Sequence, residues 1–252
     1  MATVPDLVRL EVSDDVATIT LDSPHNRNAL SRALVTQLGQ ALDDTAADES
    51  TRVVVLRSSG RVFCSGADMS EASADGMEES ARGLVAMFRQ ILSHPKPVVA
   101  VLAGPVRAGG IGIIGACDVV VAAEEATFAF TEVRLGLAPA MISLTTMSRM
   151  TERAASLTYL SGETFGGAEA ARIGLVTQAV PADDLEKAVE AVLASLARSA
   201  AQGLRETKRL LNAQMLADID ANGDALAATS ARLFASDEAR EAMGAFLAKR
   251  SR

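Results

Sequence analysis

Apolar and polar residues alternate closely enough over Leu7 to Val12 and Val16 to Leu21 to predict two strands, and Ser13-Asp14-Asp15 between them reads as the turn of a hairpin. Beyond the loop Asp22 to Asn28 the period changes. Leu34, Leu38 and Leu42 recur at i, i+4 and i+8 behind a potential cap at Ser31, which predicts a helix with Arg32, Gln37 and Gln40 turned outward. Thr51 to Arg57 is a β-branched run of the kind found in buried strands, and Ser58-Ser59-Gly60 ends it. Val62 to Met69 then enters a small-residue turn followed by an acid. The acidic segment Glu71 to Glu79 is expected to be irregular and mobile, ahead of a helix that runs to about Leu92 with Leu84, Phe88 and Ile91 on one face. His94-Pro95-Lys96-Pro97 stops that helix, because each proline disfavours the helical region for the residue before it. Further strands are predicted at Val98 to Leu102, Val119 to Val121, Thr127 to Phe130 and Leu175 to Val180. Arg134 to Pro139 reads as a loop. Helical patterns fill Ile142 to Met150, Glu152 to Leu160, Ala168 to Ile173 and the segment carrying Leu185, Val189, Val192 and Leu196. After Ala200 no strand-like run remains, and three helices are predicted at Gly203 to Asp218, Asp224 to Phe234 and Asp237 to Lys249. The pattern is that of an α/β protein, divided into residues 1–199 and a helical region, 200–252.

Composition narrows the function classes. With 252 residues, 49% hydrophobic and 22% charged, the chain is an ordinary globular one, and its apolar runs are all shorter than the roughly 18 residues of a membrane span. No signal-peptide core stands at the N-terminus, so a cytosolic location is expected. Two cysteines, Cys64 and Cys117, and two histidines, His25 and His94, form neither a disulfide framework nor a zinc spacing. A net charge of −8 opposes a nucleic-acid partner and leaves room for a small anionic ligand held by local dipoles.

The densest candidate chemistry lies between Gly104 and Glu132. Gly110-Ile111-Gly112-Ile113-Ile114-Gly115 matches G-x-G-x-x-G, the dinucleotide fingerprint, but Val119 follows too soon for the helix that fingerprint needs. A second reading places Gly109 and Gly110 at the start of a short apolar helix, whose unpaired N–H groups and positive dipole end face a ligand oxygen. The turn Ser65-Gly66-Ala67-Asp68 is able to present another N–H in the same way. Two such donors on one oxygen stabilise an enolate by about 3 kcal/mol each. A third reading makes both glycine turns packing features only.

Several of these stretches together carry a family resemblance. Arg27-Asn28-Ala29-Leu30-Ser31, Phe63 to Met69, Ala108-Gly109-Gly110 with Ala116-Cys117-Asp118, Phe128 to Gly136 and Glu241 to Leu247 resemble, in order and spacing, the enoyl-CoA hydratase/isomerase (crotonase) family. The resemblance implies a crotonase-like spiral of β-β-α units with a C-terminal helical region that assembles into a homotrimer or a dimer of trimers. It implies an acyl-CoA thioester whose carbonyl is held by the N–H groups of Ala67 and Gly109, with no cofactor beyond the coenzyme A of the substrate. Asn26, Arg27, Ala29, Cys64, Gly66 and Asp68 would line the coenzyme A, and Phe246 and Lys249 would reach that of a neighbouring subunit.

The acid–base pair departs from the family pattern. Of two glutamates usual in its hydratases, the second is present as Glu132 and the first falls on Gly112. Glu132 follows an apolar run, so a pocket mouth and a raised pKa are expected for it. The resulting expectation is hydration of a 2-enoyl-CoA with a single glutamate. Two alternatives are a shift of the double bond between C3 and C2 and an acyl-CoA-binding protein without turnover. A second carboxylate could also come from Glu71, Asp75, Glu78 or Glu79. Cys64 is not expected to be a nucleophile, because no histidine pairs with it.

Overall fold

The computed structural model describes residues 6–68, 71 and 74–250, with residues 74, 75 and 246–250 as backbone alone. Strands β1 (Val8–Ser13) and β2 (Val16–Leu21) form the expected antiparallel hairpin, and Asp14 takes a φ of 55° in its turn. Helix α1 (Arg32–Ala47) starts where Ser31 Oγ accepts the N–H of Leu34 at 3.2 Å, and Leu34, Leu38 and Leu42 are fully buried. Strand β3 (Val53–Ser58) lies parallel to β2, and helix α2 leads from it to β4 (Val98–Leu102), parallel to β3. Helix α2 spans Ala74–Ser93, so the segment expected to be irregular is already helical from Ala74. Its acids suit a helix N-terminus, and Glu78 pairs with Arg82 at i, i+4 and 2.9 Å.

The next segment builds a second, smaller sheet. Strand β5 (Val106–Arg107) leads into α3 (Gly109–Ala116), which is buried along its whole length and followed by β6 (Val119–Ala123) in the main sheet. Strand β7 (Thr127–Ala129) pairs parallel with β5 and antiparallel with β8 (Phe165–Gly166). Between β7 and β8 lie a 3-10 turn at Thr131–Leu135, α4 (Ala140–Thr146) and α5 (Glu152–Ser161). Helix α6 (Gly167–Arg172), β9 (Gln178–Val180) and α7 (Leu185–Ala197) follow. The main sheet runs β1-β2-β3-β4-β6-β9. One of its faces packs on α1, α2 and α3; on the other, Val53, Val55, Val99, Val101 and Val121 meet Leu185 and Val189 of α7.

Four expectations shift. The loop expected from Arg134 starts inside the 3-10 turn, and α4 ends at Thr146 rather than Met150. The last strand is only Gln178–Val180, because Leu175 and Val176 turn back to donate their N–H groups to Ala170 O. The first two C-terminal helices are one, α8 (Ala201–Phe234), of 34 residues. Gly223 does not break it: a Cβ there would lie 2.8 Å from Val85 Cγ1, so the glycine is where α8 crosses α2. Helix α9 (Asp237–Arg250) follows, and its Glu238 and Ala239 close over Gly136.

Candidate active site

Three short segments share one register. Cys64 bridges Val106 in parallel, and Val106 pairs with Phe128 in parallel, so the chain leaves all three strand positions in the same direction. Ala67 and Gly109 each stand three residues beyond those positions, and Glu132 four. Parallel pairing thus carries residues far apart in sequence to one edge of the small sheet.

The first exit is pinned by Leu30. Its N–H donates to Gly66 O at 2.8 Å and its carbonyl accepts from Asp68 N–H at 3.4 Å. In such a parallel bridge the central residue, Ala67, turns its own N–H away from the partner strand, and that N–H has no acceptor among the described residues. The second exit is set by Ala108, which takes φ 47° and ψ −124° just ahead of α3. A non-glycine residue there stores strain of about 1–3 kcal/mol, and the turn it makes leaves Gly109 as the first N–H of a helix with no acceptor among the described residues. The two exits touch. A Cβ on Gly66 would lie 3.0 Å from Ala108 Cβ, and one on Gly109 would lie 2.7 Å from Leu30 Cδ1. The expected donors are therefore brought together, with Leu30 in contact with both.

Glu132 comes from the third exit, in the first turn of the 3-10 segment. Its Oε2 is buried and has no hydrogen-bond partner among the described residues. Burial pushes the carboxyl up from 4.5 to about 7, while its own backbone N–H pulls the other way. The wall beside it is aromatic: Phe130 packs against Tyr159 with ring centroids 4.3 Å apart and planes tilted by 31°, and Tyr159 bonds Thr146 Oγ1 through its hydroxyl at 2.5 Å. The Glu132 carboxyl thus combines a near-neutral pKa with an inner oxygen that nothing among the described residues engages.

Position 112 explains the missing partner. A Cβ on Gly112 would lie 2.2 Å from Phe88 Cζ and 2.9 Å from Ile142 Cγ2. The space a side chain would need is filled by a fully buried phenylalanine, and Thr145 Oγ1 holds the Gly112 carbonyl at 2.8 Å. The other candidate acids are engaged away from Glu132. Glu71 Oε2 accepts the N–H of Arg32 at 2.9 Å and lines a surface cleft of about 670 Å³ with Arg32, Ala33, Thr36 and Gln37, while Glu79 lies 3.6 Å from Arg32. The side chain of Asp75 lies outside the described residues.

The residues expected around coenzyme A form a braced loop. Asn26 Oδ1 accepts from Ser23 Oγ at 2.8 Å and Ala29 N–H at 3.3 Å, and its Nδ2 donates to Asp68 Oδ2 at 3.3 Å. Arg27 and Asn28 both take positive φ, 60° and 52°. Gly66 is buried, and so is the side chain of Cys64. Burial pushes its thiol up to about 12, which keeps it protonated. The side chains of Phe246 and Lys249 lie outside the described residues. Asn28 and Leu30 stand in the loop that the resemblance assigns to coenzyme A, but their bracing contacts, and those of Phe88 and Ala108, were not legible. Of these, Asn28 alone carried a signal, an amide suited to left-handed backbone within a loop; its Oδ1 accepts from Ser23 N–H at 2.7 Å and its Nδ2 donates to Val62 O at 2.9 Å.

The enoyl-CoA hydratase/isomerase family profile matches residues 11–252. A Bacillus subtilis protein named "Probable enoyl-CoA hydratase" is 33% identical over 96% of each chain, and a Rhodobacter capsulatus protein of the same name is 34% identical over 96% of this chain and 95% of its own. Among solved structures, an enoyl-CoA hydratase from Mycobacterium avium is 46% identical over 98% of each chain, with a TM-score of 0.92. By profile, by relatives and by shared fold, this chain belongs to the enoyl-CoA hydratase/isomerase family.

Proposed function

We propose that this protein shifts the double bond of an enoyl-CoA, with Glu132 carrying one proton between C2 and C4. The thioester oxygen accepts the N–H groups of Ala67 and Gly109. The Glu132 carboxylate removes a proton from C2 of a 3-enoyl thioester, the electron pair moves into a dienolate whose charge rests on that oxygen, and the same proton is returned at C4. The observation that carries this reading is the pairing of one carboxylate, whose buried Oε2 has no partner among the described residues, with a Phe88 ring where a second would stand. A single carboxylate balances a 1,3-proton transfer. Hydration asks it to activate water and also to see C2 protonated, and losing a general acid costs about 10²- to 10⁴-fold.

Hydration of a 2-enoyl-CoA is the second reading, favoured by the names of the relatives. Incubating the protein separately with a 3-enoyl-CoA and a 2-enoyl-CoA and identifying each product decides between them. Conjugated 2-enoyl-CoA from the first, with no 3-hydroxyacyl-CoA from either, supports isomerisation. Rapid formation of 3-hydroxyacyl-CoA overturns it. Glu132→Gln is expected to lower turnover at least a hundredfold, and an unchanged rate removes Glu132 from the mechanism. Acyl-CoA binding without turnover on either thioester would leave the binding-protein alternative.

Assembly belongs to the same proposal. Leu210 and Leu211 on α8 and Leu157 and Leu160 on α5 are all more than two-thirds exposed in the single chain, a cost that burial against further copies in a trimer removes. Sedimentation of the protein tests this, and Leu210→Glu with Leu211→Glu should shift it towards the monomer.

A further inference from the structure

The sulfur of Cys64 lies beneath both turns that carry the proposed oxyanion donors. Gly66 N–H, one residue before Ala67, donates to Cys64 Sγ at 3.4 Å, and Gly110, one residue after Gly109, packs against the same side chain. The backbone of Cys64 ties the same two segments, since Arg107 N–H donates to its carbonyl at 3.0 Å and its own N–H reaches Pro105 O at 3.5 Å. The fit is close. A Cβ on Gly110 would stand 2.6 Å from Cys64 Cβ and 2.9 Å from its Sγ, so the start of α3 rests directly on this side chain.

We infer that Cys64 is a positioning residue, whose buried side chain accepts the N–H of Gly66 and carries the backbone of Gly110, and thereby aims the adjacent N–H groups of Ala67 and Gly109 at one thioester oxygen. This rests on the proposed role of those two donors. The peptide plane that carries the Ala67 N–H also carries the Gly66 carbonyl, which the Leu30 N–H holds at 2.8 Å. The bond from Gly66 N–H to Cys64 fixes the plane on the other side of that glycine, and the Cys64 side chain under Gly110 holds the first turn of α3 against unwinding towards the strained Ala108. A sulfur suits the task because it is large enough to fill the space under Gly110 while accepting weakly from Gly66 N–H. Misplacing catalytic donors by about 1 Å costs on the order of a hundredfold, which sets the scale of the effect.

The experiment uses Cys64→Ser, Cys64→Ala and, as a control for loss of a buried thiol elsewhere, Cys117→Ala. The Cys117 sulfur donates to Ile113 O within α3 and touches neither turn. Infrared difference spectra of butanoyl-CoA carrying ¹³C at the thioester carbonyl report the hydrogen bonding of that oxygen in each bound complex. This saturated thioester has no double bond to shift. For the unmodified protein a carbonyl band lowered on binding is expected. In Cys64→Ala it should move back towards the free value, kcat on the 3-enoyl-CoA should fall at least tenfold, and KM should stay within about threefold; Cys64→Ser should fall between, and Cys117→Ala should leave band and kcat near the unmodified values. A folded Cys64→Ala or Cys64→Ser protein that keeps both band and kcat overturns the inference while the donor assignment stands. If the unmodified protein bound butanoyl-CoA with no lowering of the band, the donor assignment itself would fail, and the inference with it.

Discussion

At the scale of single residues, the site depends on keeping Glu132 out of water. Its raised pKa has two consequences of opposite sign. For catalysis the carboxylate form is the base, so kcat/KM should rise with pH through a midpoint near 7 instead of the 4 to 5 of an ordinary glutamate, as a pH–rate profile would record. For stability, the folded protein still holds a proton between pH 4.5 and about 7 that the unfolded chain has released, so stability falls as pH rises through this window. Glu132→Gln should accordingly be more stable than the parent at pH 8, by about 1–2 kcal/mol allowing for partial exposure, and should lose that advantage at pH 4. Thermal melts at the two pH values check it. Gly112→Ala tests the packing beside it: its methyl meets Phe88 and Ile142, and about 1–3 kcal/mol of destabilisation is expected in urea titrations.

At the scale of elements, the long helix α8 shows how glycine can be either a requirement or a flaw within one helix. Gly223 lets α8 approach α2 closely at Val85, whereas Gly203 has open space around its missing side chain. Gly223→Leu should therefore cost about 2 kcal/mol by overpacking, while Gly203→Ala should stabilise by about 0.5–1 kcal/mol through helix propensity alone. Two denaturant midpoints moving in the same direction would contradict the crossing as described. The element scale also explains why the glycines of α3 fit G-x-G-x-x-G in spacing alone. Gly110 serves contact with Cys64, Gly112 with Phe88 and Gly115 with Thr145 and Thr146, three packing contacts on a buried helix.

At the scale of the whole molecule, the C-terminal helices are tied to the sheet by a buried polar cluster. Lys208 of α8 lies 2.7 Å from Asp118 Oδ2 and donates to the carbonyls of Ile91 at 2.9 Å and Lys96 at 3.0 Å, ends of α2 and of the proline turn. Asp118 also accepts from Val98 N–H at 2.8 Å, which starts β4, and from Asn212 Nδ2 at 3.2 Å. Burial lowers the Lys208 pKa and Asp118 resists that fall. Removing one partner leaves the other charge buried, so Lys208→Met should cost about 3–5 kcal/mol, with partial recovery in the double variant with Asp118→Asn. Equilibrium unfolding of the two variants measures it.

Local chemistry was enough to read the hairpin at Val8–Leu21, the capped helix behind Ser31, the proline stop at His94 to Pro97 and the apolar face of α2, because each depends on neighbours within a few residues. Glu132 and the two glycine turns were also legible, as residue types in a familiar order. Their meeting was not. It depends on the register that sets Cys64 beside Val106 and Val106 beside Phe128, pairings between segments tens of residues apart. Two-residue strands such as β5 and β8 carry no period to detect, so the small sheet that makes this register was invisible in the chain. The tertiary structure alone decided what Gly112 means. The sequence recorded a missing carboxylate, and packing placed the Phe88 ring in its space, because a buried volume left by one side chain is filled by whichever distant residue the fold brings to it.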